Sequence, residues 1–111
     1  MLILSNEDAE ALLTMPDCIA ALEEAYREQA NEQAVNAART DAVTLSERPD
    51  SVYSLKLMGA VARSLGVGVV RLNSDIISFA NQRQKKLPLA PGDRYTGLVL
   101  LFSTSTGEPL A

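Results

Sequence analysis

Two long runs with the composition of β-strands, Val52–Val61 and Val67–Ile77, are separated only by Ala62–Gly66, and any fold for this chain has to be built around them. The first run alternates. Tyr53, Leu55, Leu57 and Val61 fall on one face, and Ser54, Lys56, Met58 and Ala60 on the other. The second is apolar on both faces in its first half, which is the pattern of a central strand. Arg39–Leu45 adds a third strand signal through Thr40, Val43, Thr44 and Leu45. Tyr95–Ser103 adds a fourth, with its apolar centre at Leu98–Phe102, and the short Leu2–Leu4 reads as an opening strand. Glu47–Arg48–Pro49–Asp50 is a polar turn, and Thr104–Gly107 has the composition of a hairpin turn.

Helical periodicity is confined to the first third of the chain. Ser5 with Asp8 has capping-box spacing and predicts a helix over Asn6–Leu13, with Ala9, Leu12 and Leu13 inward. Thr14 with Asp17 repeats the spacing, with Pro16 in the first turn of a second helix running to about Asn31. There Cys18, Ile19, Leu22, Ala25 and Tyr26 form one apolar stripe, and Glu23–Arg27 is an i,i+4 pair on the solvated face. The irregular stretch Phe79–Asp93 reads as a long loop. The expected fold class is therefore α/β (α+β), with two N-terminal helices packed on a mixed, mostly antiparallel sheet in one domain over residues 1–111. Glu108–Ala111 begins a further strand, so the sequence is expected to continue beyond Ala111.

Composition narrows the chemistry. Ten Lys and Arg against fourteen Asp and Glu give a net charge of −4, which argues against a nucleic-acid binder. The absence of His removes imidazole acid–base catalysis and His-ligated metals, and a lone Cys18 permits no internal disulfide. Cys18 reads as a small buried apolar residue. No apolar run reaches the roughly 20 residues needed to span a membrane, and the opening lacks the basic stretch of a signal peptide, so the expected compartment is the cytoplasm.

Three cations sit within strand runs: Arg39, Lys56 between Leu55 and Leu57, and Arg71 between Val70 and Leu72. A charge in such a position must reach water, meet a counter-ion or bind a ligand. Convergence on a carboxylate is one reading, for which the planar fork of Arg is suited. Exposure on a solvated face, or pairing with Asp41 or Asp75, is the other. The basic stretch Arg83–Lys86 reads as a solvated loop. Gly66–Val67–Gly68 begins like a dinucleotide fingerprint, but it lacks the third glycine and runs along a strand, so it is not taken as a cofactor site.

Several stretches together resemble the ornithine cyclodeaminase/mu-crystallin family: Leu2–Ile3–Leu4–Ser5, Ala38–Arg39–Thr40, Tyr53–Met58, Leu65–Ile77 and, most specifically, Gly97–Ala111. The resemblance implies the amino-terminal, substrate-binding and dimerisation domain of such a protein, truncated before the Rossmann domain that holds NAD or NADP. Family members oxidise an amino acid by hydride transfer and cyclise it with loss of ammonia; others reduce cyclic imines or act as amino-acid dehydrogenases. It implies a homodimer whose ligand is a small-molecule carboxylate, an amino acid or cyclic imine, with no nucleic-acid or membrane partner. By resemblance, Arg39 and Arg71 fall where the family grips the substrate carboxylate. Lys56 falls near an acid that holds the side-chain ammonium of ornithine, and a lysine there would repel it. No catalytic, cofactor-binding or metal residue is expected in this chain. The alternative is a stand-alone, non-catalytic binding or dimerisation module, or a truncated inactive gene product.

Overall fold

A computed structural model describes residues 1–111. It is an α+β fold of two helices and a six-stranded, mostly antiparallel sheet. The elements are α1 (Asn6–Leu12), α2 (Met15–Ala30), β1 (Ala34–Asn36), β2 (Thr40–Leu45), β3 (Ser51–Ala62), β4 (Val67–Ser78), a 3-10 turn at Ala80–Gln82, β5 (Lys85–Leu87) and β6 (Thr96–Ser103). β3 and β4 are the adjacent strands around which the rest is built; β1 and β2 pair with β3, and β5 and β6 pair with β4. The expected central placement of the second long run is thus met by β4.

The chain forms two compact units. The first comprises Met1–Ala37, Ala60–Val69 and Leu100–Ala111; the second comprises Ala38–Gly59 and Val70–Val99. In the first unit both helix starts follow their sequence signals. Ser5 Oγ accepts the Asp8 N–H at 3.1 Å while the Asp8 carboxylate accepts the Ser5 N–H at 2.8 Å, closing a capping box. The backbone N–H and then the hydroxyl of Ser5 hold the Asp8 carboxyl below its usual range. Thr14 Oγ1 caps α2 at the Asp17 N–H, with Pro16 in the first turn. Glu28, 6% exposed, ties α2 to the β3–β4 turn by accepting the Ser64 N–H at 3.2 Å. The Thr104–Gly107 turn brings Pro109 opposite Phe102, and Gly107 supplies the positive φ of 77° that the turn requires.

In the second unit β2 runs antiparallel to β3 from Thr40 opposite Leu57 to Leu45 opposite Val52. The polar turn at residues 47–50 is closed locally: Ser46 Oγ accepts the Arg48 N–H, and Ser51 Oγ donates to the Arg48 carbonyl at 2.8 Å. β6 approaches β4 closely at Gly97, where a Cβ would stand 3.2 Å from the Leu72 carbonyl oxygen.

Several expectations are corrected. Leu2–Leu4 is not a strand, because its one backbone ladder contact is the Leu2 N–H to the Leu110 carbonyl at 2.7 Å. The long loop is broken by β5, which pairs Lys85–Leu87 with Ile76–Ser78. Arg27 pairs with Glu24 at 3.5 Å, one residue short of the expected Glu23. Cys18 is half-buried. Ala9, Leu12 and Leu13 are exposed, and so are Ile19, Leu22 and Tyr26 of the α2 stripe. No apolar side chain is buried; the buried residues are Glu28, Ser51, Ser54 and Asp75. Patterning predicts a face but not its cover, and no element of this chain covers these faces.

Apolar surface on this scale favours association, and association that covers it stabilises the fold by mass action. The urea midpoint should therefore rise with chain concentration. A midpoint that does not move between dilute and concentrated samples would show that the exposed faces need no cover.

Candidate functional site

The second unit contains a buried carboxylate held by two ammonium groups. Asp75, in the second half of β4, is 2% exposed. Lys56 on β3 donates to its Oδ2 at 3.1 Å, and Lys86 on β5 lies 2.7 Å from Oδ1 as an ion pair that makes no hydrogen bond. Lys86 also stands over the ring of Tyr95, 4.4 Å from its centroid, an arrangement that favours the cation further. Burial pushes the Asp75 carboxyl up. The two ammonium groups outweigh it, Lys86 more than Lys56, and hold it below its usual value of 3.8.

This contact fixes which side chains share a face. Side chains alternate along a strand, so the Lys56–Asp75 contact places Met58 with Lys56, and Arg71 and Asn73 with Asp75. Asp41 lies directly opposite Lys56, and Lys86 directly opposite Ile77, which shares the parity of Asp75. Arg39, two residues before Asp41, is anchored to the same face by a bidentate contact: Nε to Oδ1 at 2.9 Å and Nη2 to Oδ2 at 3.0 Å. The strand residues of this face, with Arg39 just before β2, carry four cations (Arg39, Lys56, Arg71 and Lys86) against two carboxylates (Asp41 and Asp75). The face is thus +2 on a chain of −4. The opposite face holds Tyr53, whose hydroxyl is 3.1 Å from Ser74 Oγ.

The three sequence-picked residues therefore lie on one face but in different states. Arg71 is exposed and has no hydrogen bond or ion pair. Arg39 keeps three of its five N–H groups clear of Asp41. Lys56 is the least exposed of the three, with its ammonium on Asp75. Of the outcomes open to a charge in a strand, pairing applies to Arg39 with Asp41 and to Lys56 with Asp75, and exposure applies to Arg71. Sequence reasoning missed Lys86, because Arg83–Lys86 read as a solvated loop, and Tyr95, which read only as the start of a strand. The available signal was Asp75 itself, a carboxylate in an apolar strand that needs a counter-charge by the same rule applied to the cations.

Two surface clefts lie elsewhere. One of about 440 Å³ is lined by Glu24, Arg27, Glu28, Asn31, Gln33, Arg63 and Ser64; the other, of about 390 Å³, by residues 44–48 with Tyr53 and Ile76. Neither includes Arg39, Lys56 or Arg71. No group of three or more Cys, Asp or Glu converges to hold a metal ion. Gly66–Gly68 does not form a dinucleotide turn: Gly66 is in the β3–β4 turn with φ 64°, Gly68 is on β4, and a strand follows instead of a helix N-terminus that could receive a pyrophosphate. No helix is long and apolar enough to cross a membrane. Comparison with protein-family models, with curated proteins and with solved structures finds no match.

The Asp75 network gives stability a defined pH dependence. A carboxyl lowered in the folded state stabilises above its unfolded value and loses that contribution as pH falls through the folded one. Stability should therefore be level above about pH 5 and decline below about pH 4. Asp75→Asn leaves two part-buried ammonium groups facing each other and should cost about 3 kcal/mol at neutral pH. It should also flatten the acid decline. Chemical denaturation across pH measures both; an unchanged neutral-pH stability would remove Asp75 from its role.

Proposed function

We propose that this chain is the substrate-binding and dimerisation part of an ornithine cyclodeaminase-like, NAD(P)-dependent cytoplasmic protein acting on an amino acid or cyclic imine. The observation that supports it is the cationic sheet face, on which Arg39 and Arg71 stand together on an otherwise acidic chain. Arg71 is the free guanidinium, suited to a bidentate grip on a carboxylate. Arg39, its fork oriented by Asp41, offers its remaining N–H groups to the same anion. Lys56, turned onto Asp75, keeps the neighbourhood positive and disfavours a ligand with a side-chain ammonium at that end, ornithine included. The residues of this chain provide anion binding and orientation. Hydride transfer belongs to a nicotinamide that other residues must hold, so the chain alone is proposed to bind without turnover. The apolar side chains left open on both units suit the proposed homodimer.

The test is an amide NMR titration of the full chain with L-proline. Saturable shifts are expected on β2, β3 and β4, with Arg71→Ala weakening binding about tenfold, as for loss of one charge-assisted pair, and Arg39→Ala by less because Asp41 already shares that fork. Shifts confined to the clefts beside Glu28 or Arg48, or affinity indifferent to Arg71, would contradict this reading.

A further inference from the structure

The carboxylate reading assigns Arg39 and Arg71 a ligand but leaves two further cations on the same face. Lys56 and Lys86 share one carboxylate, so the Lys56–Asp75–Lys86 group retains one positive charge. Their side chains are 23% and 32% exposed, hence neither sealed in nor fully hydrated. Each ammonium has three N–H donors; Lys56 directs one at Asp75 Oδ2, and Lys86 lies against Oδ1 as an ion pair. Lys86 is further held by Tyr95. These are two oriented, part-desolvated cations with unused donors, and a charge pair formed there is less screened than on open surface.

The position of this pair relative to Arg71 is set by the strand. Arg71 precedes Asp75 by four residues, about 13 Å along β4 at roughly 3.3 Å per residue, with Asn73 between them on the same face. Long side chains at both ends shorten that gap to the span of a small molecule. No acidic side chain on the strands of this face lies between them, and Asp41 is already occupied by Arg39.

We infer that the ligand of this face is a dicarboxylate or acidic amino acid, with one carboxylate on Arg71 and Arg39 and the second on the ammonium groups of Lys56 and Lys86. The inference rests on the carboxylate reading above and adds what stands at the ligand's far end. Asp75 acts here as a positioning residue: it touches no ligand, and it fixes both lysines on one face.

Three probes that share a three-carbon chain and one carboxylate separate the two ideas. Glutarate ends in a second carboxylate, butyrate in hydrogen and 4-aminobutyrate in ammonium. In amide NMR titrations of the full chain, glutarate should bind about fivefold tighter than butyrate, and 4-aminobutyrate more weakly than butyrate. Lys86→Gln should remove most of the glutarate preference while leaving butyrate affinity unchanged. Lys56→Gln serves as the second variant, and the wild-type ratio decides alone if neither variant folds. Equal affinity for glutarate and butyrate, or a preference for 4-aminobutyrate, overturns this inference and leaves the carboxylate reading standing. No binding by any of the three overturns both.

Discussion

A carboxylate with 2% exposure has to be neutralised where it stands, and in this chain two ammonium groups from different strands do so. Asp75 joins three strands through side chains: β4 by its own backbone, β3 through Lys56 and β5 through Lys86. A one-residue slip in either pairing would turn one lysine to the opposite face and leave the carboxylate short of charge. Whatever its net energy, such a contact specifies register, and register decides that Arg39, Lys56, Arg71 and Lys86 share a face. A short β5 of three residues, weak on its own ladder, is held by the same contact and by the stacking of Lys86 on Tyr95.

The rest of the molecule is organised by polar ties and leaves its apolar surface open. In the first unit the capping box, the Thr14 cap and the Glu28–Ser64 contact order the helices, while Leu12, Ile19, Leu22 and Tyr26 remain exposed. In the second, Val43, Leu45 and Leu98 are exposed although β2 pairs with β3 and β6 with β4. Backbone pairing alone rarely sustains a domain, since apolar burial is the main favourable term in folding. Association would cover surface of this kind.

Local signals were the most legible part of the sequence. Ser5–Asp8 and Thr14–Asp17 mark both helix starts, and the two long strand runs become β3 and β4 within one residue at each end. Leu2–Leu4 misled because apolar residues without a partner strand do not make a ladder. β5 was hidden because three residues among Asn, Gln, Arg and Lys carry no periodicity; its Lys86 pairs with a carboxylate eleven residues earlier in sequence. The candidate site was legible in part. Arg39, Lys56 and Arg71 could be picked as charges in apolar strands. Their division into a free guanidinium, a shared fork and a clamped ammonium depends on cross-strand register, which single-strand patterning does not encode.

The state of Asp75 reports on both the sheet register and the cationic face. If two ammonium groups hold Asp75 as described, its carboxyl carbon, followed by ¹³C NMR, should titrate below the ordinary aspartate value of 3.8, and Lys86→Met should move that midpoint upward. A midpoint at or above 3.8 in the unaltered chain, or one indifferent to the loss of Lys86, would mean that the carboxylate is not held by both lysines and that the cationic face is not organised in this way.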